Sequence, residues 1–145
     1  MDLTDVRQAR EAAAWLLLTA AVILLGIGIW NLLGLPGSGD GPTIAGHVEA
    51  ASGYMVGIDF TLLPVAAVLL AALGGRPAGS VRQIALLAVI IQLIALALGI
   101  IGWLLSIAGA SAWFTISDVS NLLAAAAGLI VTSAVLRSQS PAPRG

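Results

Sequence analysis

Polar and charged positions divide the chain into four apolar runs. Residues 12 to 34, from Ala12 through Trp15, Leu24 and Trp30 to Gly34, carry no charge. Residues 54 to 73 carry one, Asp59, with Pro64 about one turn further on. Residues 83 to 105 carry none, and Gln92 is the only strongly polar side chain near their middle. Residues 113 to 136 begin at Trp113, hold Asp118 and Asn121 near that end, and stop before Arg137. A helix needs about 20 predominantly apolar residues to cross a bilayer, so each run is expected to form one crossing. The second is the shortest and least regular. Residues 35 to 53 and 74 to 82 between the runs are rich in Gly, Pro and Ser, and Ala110 to Ala112 leave only a tight turn. The expected architecture is an all-α integral membrane four-helix bundle, one domain over residues 1 to 137. Residues 138 to 145, with Pro141 and Pro143, form a polar tail too short to fold.

Composition removes the soluble alternative: 59% of residues are hydrophobic and 9% charged, against roughly 45–50% and 25% in a soluble domain. The six basic residues are all arginine and the net charge is −1, which leaves no basic surface for nucleic acid. There is no cysteine, so thiolate metal sites and thiol chemistry are excluded. Arginine placement predicts the orientation. Arg7 and Arg10 precede the first run, Arg76 and Arg82 lie between the second and third, and Arg137 and Arg144 follow the fourth. Short loops rich in Arg stay cytoplasmic, so both termini are expected in the cytoplasm and the protein in the cell membrane. Trp30, Tyr54, Trp103 and Trp113 fall at the expected outer ends and Trp15 near an inner one, where amphipathic rings meet headgroups. The first run exceeds the ~7–15 residues of a signal-peptide core and no convincing small-x-small cleavage site follows it at the proper distance, so it is read as retained. Thr4 is a candidate cap for a helix that extends this run into the cytoplasm, with Asp5 favoured at its start.

The two halves of the chain resemble one another. Arg10, Gly26 and Trp30 correspond to Arg82, Gly99 and Trp103, and Asp59 and Thr61 correspond to Asp118 and Ser120. A tandem duplication of a two-helix hairpin would explain this, with both copies in one orientation. Chance matching of two Ala/Leu/Ile/Gly-rich segments is the competing explanation.

Asp59 and Asp118 are the only acidic residues inside the runs, and an intramembrane carboxylate is a functional candidate by default. With Asn31 and Asn121 they are candidates for binding a cation or protons, joined by Thr61, Ser106, Ser117 and Ser120 if these face the interior. Two carboxylates in one site would couple and retain a proton or cation between them. The competing role is capping, since both helices start on the outer side and their positive ends favour a carboxylate. Pro64 either kinks the second run beside Asp59 or is tolerated near its start. Gln92 is a candidate for hydrogen bonding between helices, and Ala124 and Gly128 for close helix packing at small-xxx-small spacing. His47 and Glu49 have a metal-like spacing but no third ligand nearby, so neither a metal nor another cofactor is expected. The Gly-rich first loop follows no strand and contains no GKS or GKT, which disfavours phosphate binding. No nucleophile, base and orienting group stand at useful spacing, so an enzyme is not expected. The function expected is that of a non-catalytic accessory or assembly subunit working through helix contacts, in the lipid bilayer, as a homo-oligomer or within a larger membrane complex. The alternative is a cation- or proton-linked transporter or channel component that uses Asp59 and Asp118.

Overall fold

The computed structural model describes residues 3–34, 47, 51, 54–55, 57–73, 80–106 and 112–139, with side chains at all of these except 3–4, 105–106 and 112–118. Four α-helices follow one another: α1 (Leu3–Leu32), α2 (Ile58–Ala72), α3 (Val81–Ser106) and α4 (Ala112–Ser138). No strand occurs among the described residues. Three stretches, Asp5–Leu32, Val81–Leu104 and Val119–Ser138, are long and apolar enough to cross a membrane. α1 starts at Leu3, so Thr4 lies inside its first turn and not at the cap position, while Asp5 stands in that turn as expected. Past its C-terminus Gly34 takes φ +60, a left-handed conformation that side chains resist, and donates its N–H to the Asn31 carbonyl at 3.0 Å.

The second crossing departs from the expectation of one helix over residues 54 to 73. α2 has 15 residues, about 22 Å of helix, which is short of the ~30 Å hydrocarbon core. It stops where the backbone turns extended: Gly57 has φ −61 and ψ 152, and Leu73 has φ −92 and ψ 157. Pro64 does not break it, although proline removes the hydrogen bond its N–H would make one turn back. Upstream of Gly57, Tyr54 and Met55 are again helical, and Met55 packs against Gly28 of α1 together with Ala51.

Polar contacts at one end set the helix directions. Arg10, near the start of α1, donates to the Leu70 carbonyl at 2.8 and 3.0 Å and also to the Leu73 carbonyl, the last acceptors of α2. The Ser80 hydroxyl, at the start of α3, donates to Glu11. The beginning of α1, the end of α2 and the beginning of α3 therefore meet, and the three helices alternate in direction. Only residues 107 to 111 link α3 to α4, which turns α4 back along α3. α2 touches all three other helices, α3 touches α1 and α4, and α1 and α4 lie diagonally across from each other.

The interior is built from small residues at alternating intervals of three and four. α1 presents Ala14, Leu18, Ala21, Leu25 and Gly28, and α3 presents Ala85, Ala88, Gln92, Ala95, Gly99 and Gly102. α2 contributes Phe60, Pro64, Ala67 and Ala71, and α4 contributes Ala125, Gly128 and Thr132. Such spacing keeps one seam of each helix turned toward its neighbours, and small side chains let backbones approach. Leu18, Leu25, Val68, Ile84 and Ile91 fill the interior beside them, while many other large aliphatic residues point outward. Leu16 is 71% exposed, Ile130 69% and Leu123 66%, with Ile23, Leu62, Leu93 and Ile101 also outward.

Candidate functional site

The interior holds one polar layer. Gln92 of α3 is 2% exposed and Thr132 of α4 is wholly buried, and the Thr132 hydroxyl donates to Gln92 Oε1 at 2.7 Å. The same hydroxyl lies 3.1 Å from the Gly128 and Leu129 carbonyls one turn back, so its single proton has the Gln92 oxygen and two backbone oxygens as alternative acceptors. Gly128 makes the layer geometrically possible. A methyl there would stand 2.8 Å from Thr61 Cγ2, 2.9 Å from Gln92 Nε2 and 3.2 Å from Val65 Cγ2. α2, α3 and α4 thus converge on a position that tolerates only hydrogen. Thr61, also buried, donates from Oγ1 to the Gly57 carbonyl at 3.3 Å, a carbonyl that already accepts the Thr61 N–H at 3.1 Å. Gln92 Nε2 is buried with no hydrogen-bond partner. Turning the amide over would let Nε2 donate to Thr132 and leave Oε1 as the lone atom instead, so one amide atom is unmatched either way.

Depth along the helices decides which polar residues meet. At about 1.5 Å per residue, the 12 residues from Thr61 to Leu73 put the polar layer about 18 Å above the Arg10 contacts. Asp59 lies two residues further along α2, about 21 Å above them. Gly28, 18 residues from Arg10 along α1 and about 27 Å above it, meets Met55, so Met55 stands above Asp59 as well. Asp118 lies ten residues beyond Gly128 on α4, about 15 Å above the layer and about 12 Å above Asp59 along the axis. The two aspartates that look equivalent in sequence therefore stand at different depths.

Asp59 occupies the first turn of α2, where the helix dipole favours a carboxylate, but Gly57 takes the cap position and Asp59 itself is exposed. Asn31 is buried and donates from Nδ2 to the Ile27 carbonyl of its own helix at 2.9 Å, which occupies its amide locally. Asn121 is half-buried on α4, a helix diagonal to that of Asn31. Ser120 is exposed, and the side chains of Ser106, Ser117 and Asp118 lie outside the described residues. Gln92 and Gly128 meet in the polar layer, while Ala124 is half-buried and its neighbour Ala125 faces inward. His47 packs its ring against Gly34, where a methyl would stand 2.6 Å from Cε1; Glu49 lies outside the described residues. Among the described residues no group of three His, Asp or Glu side chains is placed to hold a metal.

Thr132 and the capping role of Arg10 were not singled out from the sequence. Thr132 follows Ala125 by seven residues and Gly128 by four, which places it on the small-residue seam. Arg10 carries no local signal for its role, because its partners are carbonyls 60 or more residues away. Compared with protein-family models, curated proteins and solved structures, the chain matches none.

Proposed function

We propose that the chain is a lipid-embedded, non-catalytic accessory or assembly subunit that works through its helix faces. One observation carries this reading: Ala, Gly and a few Leu, Ile and Val line the contacts between helices, while many further Leu, Ile and Val side chains of α1, α3 and α4 stand exposed on the outer faces. Water would penalise such a surface, since soluble monomers rarely expose contiguous apolar patches of more than a few hundred Å². Hydrocarbon accepts it, and close packing of small residues is how helices associate there. In this reading α2 completes the second of four crossings with help from the segment before Gly57. Arg10, Arg82 and Arg137 share the cytoplasmic side with both termini, and the membrane is the cell membrane. The outward Trp30 and Tyr54 then meet one headgroup layer and Trp15 the other. The transporter alternative draws no support from the backbone positions of Asp59 and Asp118, which stand about 12 Å apart along the axis.

The test is recovery of the native assembly. Full-length protein extracted from its own membrane in a mild detergent should run as a stoichiometric complex with another membrane subunit. A chain that is consistently solitary, at native expression and across several mild detergents, contradicts the accessory role.

A further inference from the structure

Asp59 is the one described carboxylate far from either end of the apolar zone. It lies about 21 Å from the Arg10 contacts and, along α1, the apolar stretch continues to Gly34, about 36 Å from Arg10. The carboxylate therefore stands roughly 15 Å short of the level at which α1 ends. Outward-facing Trp30 marks the headgroup side some 9 Å above it. Asp59 is exposed, and its neighbours on the same face of α2, Ile58 at 60% and Leu62 at 56%, are exposed as well. No hydrogen bond or ion pair joins Asp59 to a described residue. A carboxylate facing acyl chains at this depth is costly, and such groups are found paired or facing water.

Among the described residues none supplies a counter-charge beside Asp59, and the His47 ring lies against Gly34 beyond the end of α1. Arg7, Arg10, Arg82 and Arg137 belong to the opposite end, and in sequence Arg76 and Arg144 flank that same end. A second copy inserted the same way presents another Asp59 at this height, which adds repulsion. The complement of this face is a helix that is apolar on either side of one basic residue.

Resting on the accessory-subunit reading, we propose that the outer half of α2, with Ile58, Asp59 and Leu62, docks a transmembrane helix of a different subunit that places a Lys or Arg opposite Asp59. The aliphatic neighbours supply packing, and the ion pair supplies register and depth. The short length of α2 is what makes this possible: its first turn begins inside the apolar zone, so its first acidic residue reaches the lipid-facing surface there and not at the headgroups.

A designed single-span Leu/Ala helix with Trp anchors and one Lys about 9 Å below the outer anchor is the probe, with a Leu-for-Lys control. Both are reconstituted in phosphatidylcholine vesicles with the full-length protein, and association is read by energy transfer between labels. The Lys helix should bind at least about tenfold more tightly than the control, and Asp59→Asn should abolish the difference. Asp59→Lys should reverse the preference toward a helix carrying Glu at that position, which guards against a variant that merely misfolds. Equal binding of the Lys and Leu helices overturns the proposal, as does an advantage that survives Asp59→Asn. The two readings fail separately. If the native complex persists undiminished with Asp59→Asn, the docking face is wrong and the accessory role stands; if wild-type protein forms no native complex, the accessory role itself has failed.

Discussion

The second and fourth helices carry similar acidic patterns, Asp59 with Thr61 and Asp118 with Ser120, yet they are built differently. α4 runs unbroken for 27 residues, and the helix-favouring stretch Ala124 to Ala127 sits at its middle. α2 lasts 15 residues between an extended Gly57 and an extended Leu73, and Ala51 and Met55 pack on α1 above it. The long helix carries its acidic residue about 12 Å beyond the level at which the short one leaves Asp59, close to the buried polar layer. The difference teaches that an aspartate near the start of an apolar run has no fixed depth until the register of its helix against its neighbours is known. It also separates the hairpins: helices of 15 and 27 residues with a 12 Å offset between matched aspartates are not the equivalent units that tandem duplication would place in register.

Three glycines break or sharpen the contrast most strongly. Gly128→Ile should destabilise the protein by about 3 kcal/mol, because the side chain must displace Thr61, Val65 and Gln92 together. Gly28→Ala should cost about 1 kcal/mol, since the atoms it meets belong mostly to Met55, a flexible side chain that can move aside. Gly26→Ala meets nothing within 4 Å and should leave stability unchanged or raise it by up to about 1 kcal/mol through helix propensity. Reversible unfolding in mixed micelles gives all three values. An equal cost at Gly28 and Gly128 would mean the segment before α2 is packed as rigidly as α4.

Arg10 should matter only to the short crossing. Its guanidinium satisfies the last carbonyls of α2, so Arg10→Leu should cost about 1–2 kcal/mol, discounted for its partial exposure. Amide exchange should rise near Leu69 to Leu73 and stay constant in α4. Uniform acceleration across both helices would contradict a local cap. The polar layer gives a modest effect: Thr132→Val should cost about 0.6–1.7 kcal/mol, the range for hydrogen bonds between membrane helices. In a Gln92→Leu background the same substitution should cost distinctly less, and a double-mutant cycle reads the coupling directly.

Much of the helical framework is legible in the residue pattern. Charge-free runs long enough for hydrocarbon mark α1 and α3, and a run with Asp118 as its one charge marks α4, because nothing in those runs offers the backbone a reason to turn. Ala14, Ala21 and Gly28, and again Ala88, Ala95 and Gly102, repeat at seven-residue intervals and foreshadow the inward seam. The end of α2 at Gly57 is not legible, since φ −61 and ψ 152 is open to any residue and no side chain demands it. Neither is the partnership of Gln92 with Thr132, which depends on the rotation of α4 and on the close approach at Gly128. Ala124 and Ala125 are chemically identical, and only packing decides that the second faces in. Asp59 and Asp118 show the limit most sharply, because counting residues from the nearest arginine puts them at one height while the contact at Gly128 separates them.

The account stands on one claim, that the aliphatic outer faces lie in hydrocarbon. Because the chain has no cysteine, single Cys residues can be introduced and spin-labelled without background. Labels at Ile23, Leu93 and Ile130 in lipid vesicles should collide freely with oxygen and be shielded from a water-soluble nickel chelate, while a label at Gln8 should show the reverse. Strong nickel accessibility at Leu93 and Ile130 would contradict it.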